Sequence, residues 1–312
     1  MGMNEKAASG VMNNQELVMQ RPSSRDLFTS KLRDYYTLTK PEVNLLILMT
    51  TSAGYYLAGR ATSHVLGMIW TLIGTLLVAS GTATFNQLME WRYDAQMRRT
   101  ARRPLPTGRV GVTEAFVLGV VLSLAGAVEL WVLVNPLAAF LAVLTLLTYL
   151  LLYTPLKRKT ALCTLIGAFP GAMPVLIGWA GATARIDGLA WFLYAVVFLW
   201  QFPHFLAIAL MYREDYSNAG YRMLPRFDRD GRFTRGEIVV FTVGLVALTL
   251  LPALSGAGNY FYYLGALITG AILLGQSMKL ARSGSRIEAS RVLHASIIYL
   301  PILLIAMVVG KL

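Results

Sequence analysis

Charged residues are spread so unevenly along the chain that the stretches between them outline its architecture. Runs free of Asp, Glu, Lys and Arg cover 43–59, 61–89, 115–128, 130–156, 160–184, 188–212, 238–278 and 292–310. A helix needs about 20 mostly apolar residues to cross a bilayer, and most of these runs supply them. Turn signals divide the longer ones: Asn135-Pro136, Tyr153-Thr154-Pro155, and Ser255-Gly256-Ala257-Gly258-Asn259. The pattern predicts nine spans, near 43–59, 65–85, 114–134, 137–153, 161–181, 189–210, 237–254, 260–278 and 292–310. The third and fourth should form a tight hairpin, and so should the seventh and eighth.

Composition turns the pattern into a class. Hydrophobic residues make up 56% of the 312 and charged residues 14%, with a mean hydropathy of +0.55. A soluble domain carries about 25% charge, so two soluble domains are excluded and an all-α membrane protein is expected. The net charge of +12 then orients it. An odd number of spans puts the termini on opposite sides. Twenty-five of the 28 Lys and Arg residues fall on the N-terminal side, leaving only Arg60, Arg185 and Lys311 on the other. By the positive-inside rule the N-terminus is cytoplasmic and the C-terminus external. Topology thereby accounts for the basic excess, and no nucleic-acid partner is implied. Residues 1–35 read as a flexible cytoplasmic tail without a cleavable signal pattern, and 36–312 as one intramembrane domain. The single cysteine, Cys163, falls inside a span, which excludes a disulfide framework or a Cys-rich metal site.

Two connections on the cytoplasmic side, 86–113 and 211–236, are too long and too charged to be simple turns. Four spans separate them, so the first four spans are weakly echoed by the next four. In NQLMEWRYDAQMRRTARRPLPTGR (86–109), Asn86, Glu90 and Asp94 follow at i, i+4 and i+8. On a continued helix they line one face at about 6 Å per step. Arg98, Arg99, Arg102 and Arg103 come next. In YREDYSNAGYRMLPRF (212–227), Asp215 stands one turn beyond the sixth span, beside Arg213, and TPLKRKT (154–160) adds Lys157 and Arg158. Oxygen donors without His or Cys suit a hard cation, and magnesium is commonly held by one or two carboxylates plus substrate phosphates. Clustered Arg and Lys bind the same phosphate oxygens. The combination points to a metal-bridged diphosphate at the membrane surface. On spacing alone, solvated loops whose charges anchor helix ends remain the alternative.

At these residues the chain resembles the intramembrane (UbiA-type) prenyltransferase superfamily, and within it the haem-modifying branch. YTLTKPEV (36–43) is similar to the segment that leads into the family's first span. The first loop resembles the signature N-x3-[DE]-x3-D-x2-M-x-R-T-x2-R-P-L through Asn86, Glu90, Asp94, Met97, Arg99, Thr100, Arg103, Pro104 and Leu105. YTPLKRKT (153–160) is similar to a basic loop of the family. GAFPGAMPVLIGWAGA (167–182), WQFPHFLAIA (200–209), DYSNAGYRML (215–224) and ASIIYLP (295–301) resemble further segments of the haem branch. The resemblance covers nearly the whole chain after the tail. It departs at Glu90, where many members carry Asp, and at Ala219, where a second Asp would follow Asp215. The number of magnesium ions is therefore left open.

The resemblance implies nine helices around a central cavity open toward the cytoplasm, in a cell inner membrane. It implies transfer of a farnesyl group from farnesyl diphosphate to a vinyl group of haem b, with water addition, giving haem O. Asn86, Glu90, Asp94 and Asp215 would hold Mg2+ and act as the catalytic set. Arg99, Arg103, Lys157, Arg158 and Arg213 would hold the diphosphate, His204 and more weakly His294 the haem, and a downstream haem-modifying enzyme would be a partner. His204 lies eleven residues before Asp215, about 16 Å along a helix, a span that could separate porphyrin from diphosphate. An intramembrane ionisable residue is a functional candidate by default; a neutral imidazole bonded to a carbonyl freed by Pro203 is the structural alternative. His64 reads as structural, and Glu129 as lying near the external interface. Gly167, Gly171, Gly178 and Gly181, with Pro170 and Pro174, read either as close-packing positions or as shaping a flat porphyrin slot. The rival functions are an aromatic-acceptor prenyltransferase of quinone biosynthesis and a transporter of anionic lipid or metabolite. Charge confined to one side argues against the transporter.

Overall fold

The computed structural model describes residues 24–59, 65–256 and 258–310, and its regular structure is all helix, with no strand among these residues. Helix α1 (Ser24–Leu38) leads into α2 (Pro41–Ala58), α3 (Val65–Asp94) and α4 (Val112–Glu129), which a π-helical turn over Leu130–Val134 prolongs. Next, α5 (Pro136–Thr148) runs through a second π turn, Tyr149–Tyr153, into α6 (Thr154–Leu156). Then come α7 (Cys163–Thr183), α8 (Gly188–Met211), the short α9 (Arg213–Asn218) and α10 (Leu224–Phe227), α11 (Arg232–Leu250), α12 (Tyr260–Ser283) and α13 (Arg286–Gly310).

Among the described residues, eight of these helices are long and apolar enough to cross a membrane: α3, α4, α5 with α6, α7, α8, α11, α12 and α13. The protein is a multi-pass membrane protein. On α4, Val117, Val121, Leu124 and Val128 recur at helical spacing and stand exposed, a stripe suited to lipid. Helix α2 takes the place of the first predicted span. It is shorter and carries buried Asn44, Thr50 and Thr51, so it is not among the eight.

Helices α7 and α8 stand side by side at the centre. Helices α2, α3 and α5 pack on α7, with α4 on α3; α11 and α13 pack on α8, with α12 against both. Small residues allow the closest approach. A Cβ on Gly178 would collide with the Thr51 carbonyl oxygen, and one on Gly54 with that of Val175, so α2 and α7 touch backbone to backbone. Several threonine hydroxyls inside the bundle are satisfied without water, since Thr51, Thr71, Thr75 and Thr82 each donate to the carbonyl four residues earlier. The two hairpins form where the turn signals placed them. Asn135 accepts from the Ala138 amide at 2.9 Å and donates to the Ala180 carbonyl, while Asn259 accepts from the Tyr262 amide.

Part of the segment read as a tail, from Ser24 on, is helical. Residues 24–38 form α1, held down by Arg109–Asp34 at 3.0 Å and Lys31–Glu114 at 2.7 Å. His64, Arg60 and Lys311 lie outside the described residues. Glu129 folds over Gly74 of α3, and among the described residues neither carboxylate oxygen has a hydrogen-bond partner.

Candidate active site

Because α3 runs unbroken to Asp94, the side chains of Asn86, Glu90 and Asp94 stack on one face, exposed by only 1%, 6% and 1%. Carboxylates so deeply buried demand partners, and each of the three meets a cation from a different segment. Lys40 Nζ donates to Asn86 Oδ1 at 2.7 Å, Lys157 Nζ to Glu90 Oε1 at 3.0 Å, and Arg103 Nη1 to Asp94 Oδ2 at 2.7 Å. Thr154 Oγ1 accepts from Asn86 Nδ2 at 3.2 Å. Arg103 and Lys157 offset the two carboxylates, so protonation of Lys40 gives the cluster a positive surplus.

Local backbone explains each arrival. Beyond Asp94 the chain unwinds into consecutive turns, with Met97, Ala101 and Arg103 amides bonded to Asp94, Met97 and Thr100 carbonyls. These turns curl Arg103 back onto Asp94. Lys40 caps α2 ahead of Pro41 in the left-handed region, at φ 53, where a residue with a Cβ is disfavoured by about 1–2 kcal/mol. Pro155 lacks an amide hydrogen, and the helix widens into the π turn before it, with Thr154 Oγ1 donating to the Tyr149 carbonyl at 3.0 Å. That turn delivers Lys157. Burial, then repulsion from Arg103 and Lys157, pulls the Lys40 ammonium down to about 7 against the pull of Glu90 and Asp94. For Lys157 burial works the same way, but the Glu90 carboxylate together with Tyr153, Tyr149 and Tyr221 outweighs it and holds the ammonium well above the ordinary lysine value.

A cavity of about 400 Å³ opens beside this row, lined by Glu90, Tyr93, Thr154, Arg158 and Lys159 among others. Arg158 lies over the Tyr93 ring, 3.9 Å from its centroid, and also bonds its hydroxyl. Lys157 lies 4.5 Å from the centre of the Tyr153 ring, which meets Tyr149 edge-on. The wall is thus aromatic as well as basic.

The second loop docks against the first through buried Met97, Ala219 and Tyr221, and the Arg222 amide bonds the Lys157 carbonyl at 2.8 Å. The expected continuation of the sixth span does not occur. The backbone leaves helical geometry at Tyr212 (φ −112, ψ 25), so α9 starts afresh. Half-buried Asp215 consequently makes no ion pair, and among the described residues no three His, Cys, Asp or Glu side chains converge on one point. The four-oxygen set is therefore not assembled in this structure. Arg99 sits between the loops, 3.4 Å from the Tyr216 hydroxyl and over the Tyr212 ring. Arg213 turns away to the Arg229 carbonyl, beside a separate cavity lined by Glu214, Ser217 and Asn218.

His204 does not meet a carbonyl freed by Pro203. Its Nδ1 lies 2.9 Å from Ser296 Oγ of α13, and its ring stacks on Trp200. His294 is exposed, with Nδ1 bonded to the Ser290 carbonyl at 2.7 Å. Lys40, Thr154 and Tyr93 are the site residues that spacing did not single out. Lys40-Pro41 was a usable signal, since a lysine fixed just ahead of a proline-started helix has little freedom.

The description "UbiA prenyltransferase family" matches residues 47–300. A protoheme IX farnesyltransferase of Solibacter usitatus (strain Ellin6076) is 45% identical over 87% of this chain and 96% of its own. That of Koribacter versatilis (strain Ellin345) is 43% identical over 95% and 98%. Among solved structures, a digeranylgeranylglyceryl phosphate synthase superposes with a TM-score of 0.74 at 19% identity, over 90% of this chain and 99% of the other. A UbiA homologue from Archaeoglobus fulgidus, bound to GPP and Mg2+, superposes with a TM-score of 0.61 at 16% identity over 88% and 99%.

Proposed function

The chain belongs to the UbiA prenyltransferase family, and from that premise we propose that it transfers a farnesyl group from farnesyl diphosphate to a vinyl group of haem b, giving haem O. The observation that carries the chemistry is the buried Asn86–Glu90–Asp94 row with its surplus of positive charge. The close sequence relatives, similar over nearly their full length, support the choice of haem as acceptor.

Breaking the allylic C–O bond leaves positive charge on the prenyl carbon and sends the electron pair out with diphosphate. Lys40, Arg103, Lys157 and Arg158 supply fixed positive charge where negative charge gathers. Arg99, at the seam between the loops, reaches the same anion; Arg213 is a more distant contributor. The Tyr93 ring lines the cavity and would offer a π face to the allylic cation, with the Tyr153 and Tyr149 rings beside Lys157 behind it. The terminal vinyl carbon then attacks, and water captures the cation left beside the porphyrin, losing a proton to give the hydroxyethylfarnesyl group. The oxygen-only donors Asn86, Glu90 and Asp94 fit Mg2+, with Asp215 as a further carboxylate from the docked loop. When bound, the ion neutralises the leaving diphosphate. The leaving diphosphate would otherwise be held by Lys40, Arg103 and Lys157, the cations that meet this row. His204 is assigned to haem, and His294, on the exposed side of α13, is the weaker candidate.

We place α2 as a ninth span, the N-terminus and this site on the cytoplasmic side of a cell inner membrane, and the C-terminus outside. A downstream haem-modifying enzyme would accept the product.

The test is turnover of the detergent-purified protein with farnesyl diphosphate and haem b, read by mass spectrometry. Haem O is expected, and Asp94→Asn should reduce its formation by at least about 10²-fold while the protein still inserts. Absence of haem O together with prenylation of a hydroxybenzoate would overturn the proposal in favour of an aromatic acceptor.

A further inference from the structure

The imidazole of His204 is held more tightly than its mid-helix position requires. Its Nδ1 is 2.9 Å from Ser296 Oγ, and Ser296 is completely buried. The hydroxyl has one proton, and that proton is already placed: Ser296 Oγ donates to the Leu293 carbonyl at 2.7 Å. Two oxygens at that separation repel unless a hydrogen lies between them. Ser296 Oγ must therefore accept from the imidazole, so Nδ1 carries the hydrogen and Nε2 keeps its lone pair. Trp200 completes the clamp. Its indole stacks on the imidazole at 4.8 Å between centroids and 26° between planes, and its Nε1 donates to the main-chain carbonyl of the same Ser296 at 2.7 Å. Ring plane and tautomer are both set by contacts across α8 and α13, and Nδ1 makes the only hydrogen bond of this ring among the described residues.

A neutral imidazole with a donor bond at Nδ1 and a bare Nε2 is the arrangement found in metal-ligating histidines. The second nitrogen's hydrogen bond orients the ring and raises its basicity. We propose that Ser296 is a positioning residue that presents His204 Nε2 as an electron-pair donor to the iron of the porphyrin substrate. This rests on haem being the acceptor. His294 cannot share the task from the same side. Two residues on a helix are about 200° apart, so it leaves α13 nearly opposite Ser296, and it is exposed.

The full chain, purified in detergent, is titrated with ferric haem b, reduced, and examined by resonance Raman for an iron–imidazole stretch. The wild type should show the band, and His204→Ala should lose it. Ser296→Ala should bind haem about 10–100-fold more weakly and shift the band, whereas Ser296→Thr, which keeps the hydroxyl, should restore both. Circular dichroism of each variant separates these effects from misfolding. If Ser296→Ala kept wild-type affinity and frequency, the serine would be packing only. If His204→Ala kept the band, the iron would be held elsewhere. Either result overturns the inference and leaves farnesyl transfer standing. An intact His204-dependent band without any haem O formed by the wild type instead overturns the reaction.

Discussion

Glu90 and Asp94 are each balanced by essentially one cation, and that makes the site brittle at the level of single residues. Arg103 reaches Asp94 Oδ2 at 2.7 Å, and the carboxylate is 1% exposed. Removing Arg103 alone strands a buried charge, which costs about 3–5 kcal/mol. Arg103→Gln should therefore lower the melting temperature in detergent. The double variant Arg103→Gln/Asp94→Asn, with no stranded charge, should regain part of that loss but none of the activity. A double variant no more stable than Arg103→Gln would show that Asp94 is not stabilised mainly by this pair. Lys40 poses the complementary case. It donates to a neutral amide oxygen, so Lys40→Met strands no carboxylate. It should leave the melting temperature nearly unchanged and cut haem O formation by roughly 10²-fold, the scale of losing one fixed charge at a developing anion. Equal turnover by Lys40→Met and wild type would remove Lys40 from the diphosphate cradle.

Helices explain why some of this could be foreseen and some could not. The i, i+4, i+8 spacing of Asn86, Glu90 and Asp94 is local, and α3 realises it because nothing in 86–94 interrupts a helix. Two of the three cations are non-local: Lys40 and Lys157 reach the row from 46 and 67 residues away, a distance over which spacing carries no information. The break at Tyr212 was equally invisible. Beyond it Ala219 and Tyr221 dock on Met97, a contact between two loops four spans apart. The hairpin caps Asn135 and Asn259 were legible, since Asn before a helix start satisfies a free amide wherever it occurs. Two element-level tests follow from the same packing. Gly178→Leu would drive a side chain into the Thr51 carbonyl, so α2 and α7 must separate; a loss of about 1–3 kcal/mol or more is expected in thermal unfolding. Asp228 Oδ2 accepts from both the amide and hydroxyl of Thr234 at 2.7 and 2.8 Å, near the start of α11. Burial opposes its charge, but the Thr234 bonds outweigh it and lower its carboxyl below the ordinary value. The stabilisation is therefore complete above the unfolded value, about 3.9, and is lost as pH falls through the depressed folded one. Asp228→Ala should lower the melting temperature at pH 7, and its difference from wild type should shrink only below about pH 4.

At the scale of the molecule, one charge distribution has to serve two purposes. The same basic residues that hold the site also bias insertion, because 25 of 28 Lys and Arg fall on one side if α2 and the eight apolar helices all cross. An eight-span chain, with α2 lying in the interface, would put both termini together and move the loop between α7 and α8 to the cytoplasmic side. The two topologies are separable because Cys163 is the one cysteine in the sequence and it is fully buried, so engineered thiols report without background. Arg185, between α7 and α8, and Ser283, at the C-terminal end of α12, are both exposed. In intact cells a membrane-impermeant maleimide should label Arg185→Cys at once and Ser283→Cys only after permeabilisation. The reverse order would put the carboxylate row on the outer face, away from a cytoplasmic supply of prenyl diphosphate, and would overturn the orientation assigned to the site. Labelling of both in intact cells would require an even number of spans between them, against the three helices α8, α11 and α12 that separate them in the structure.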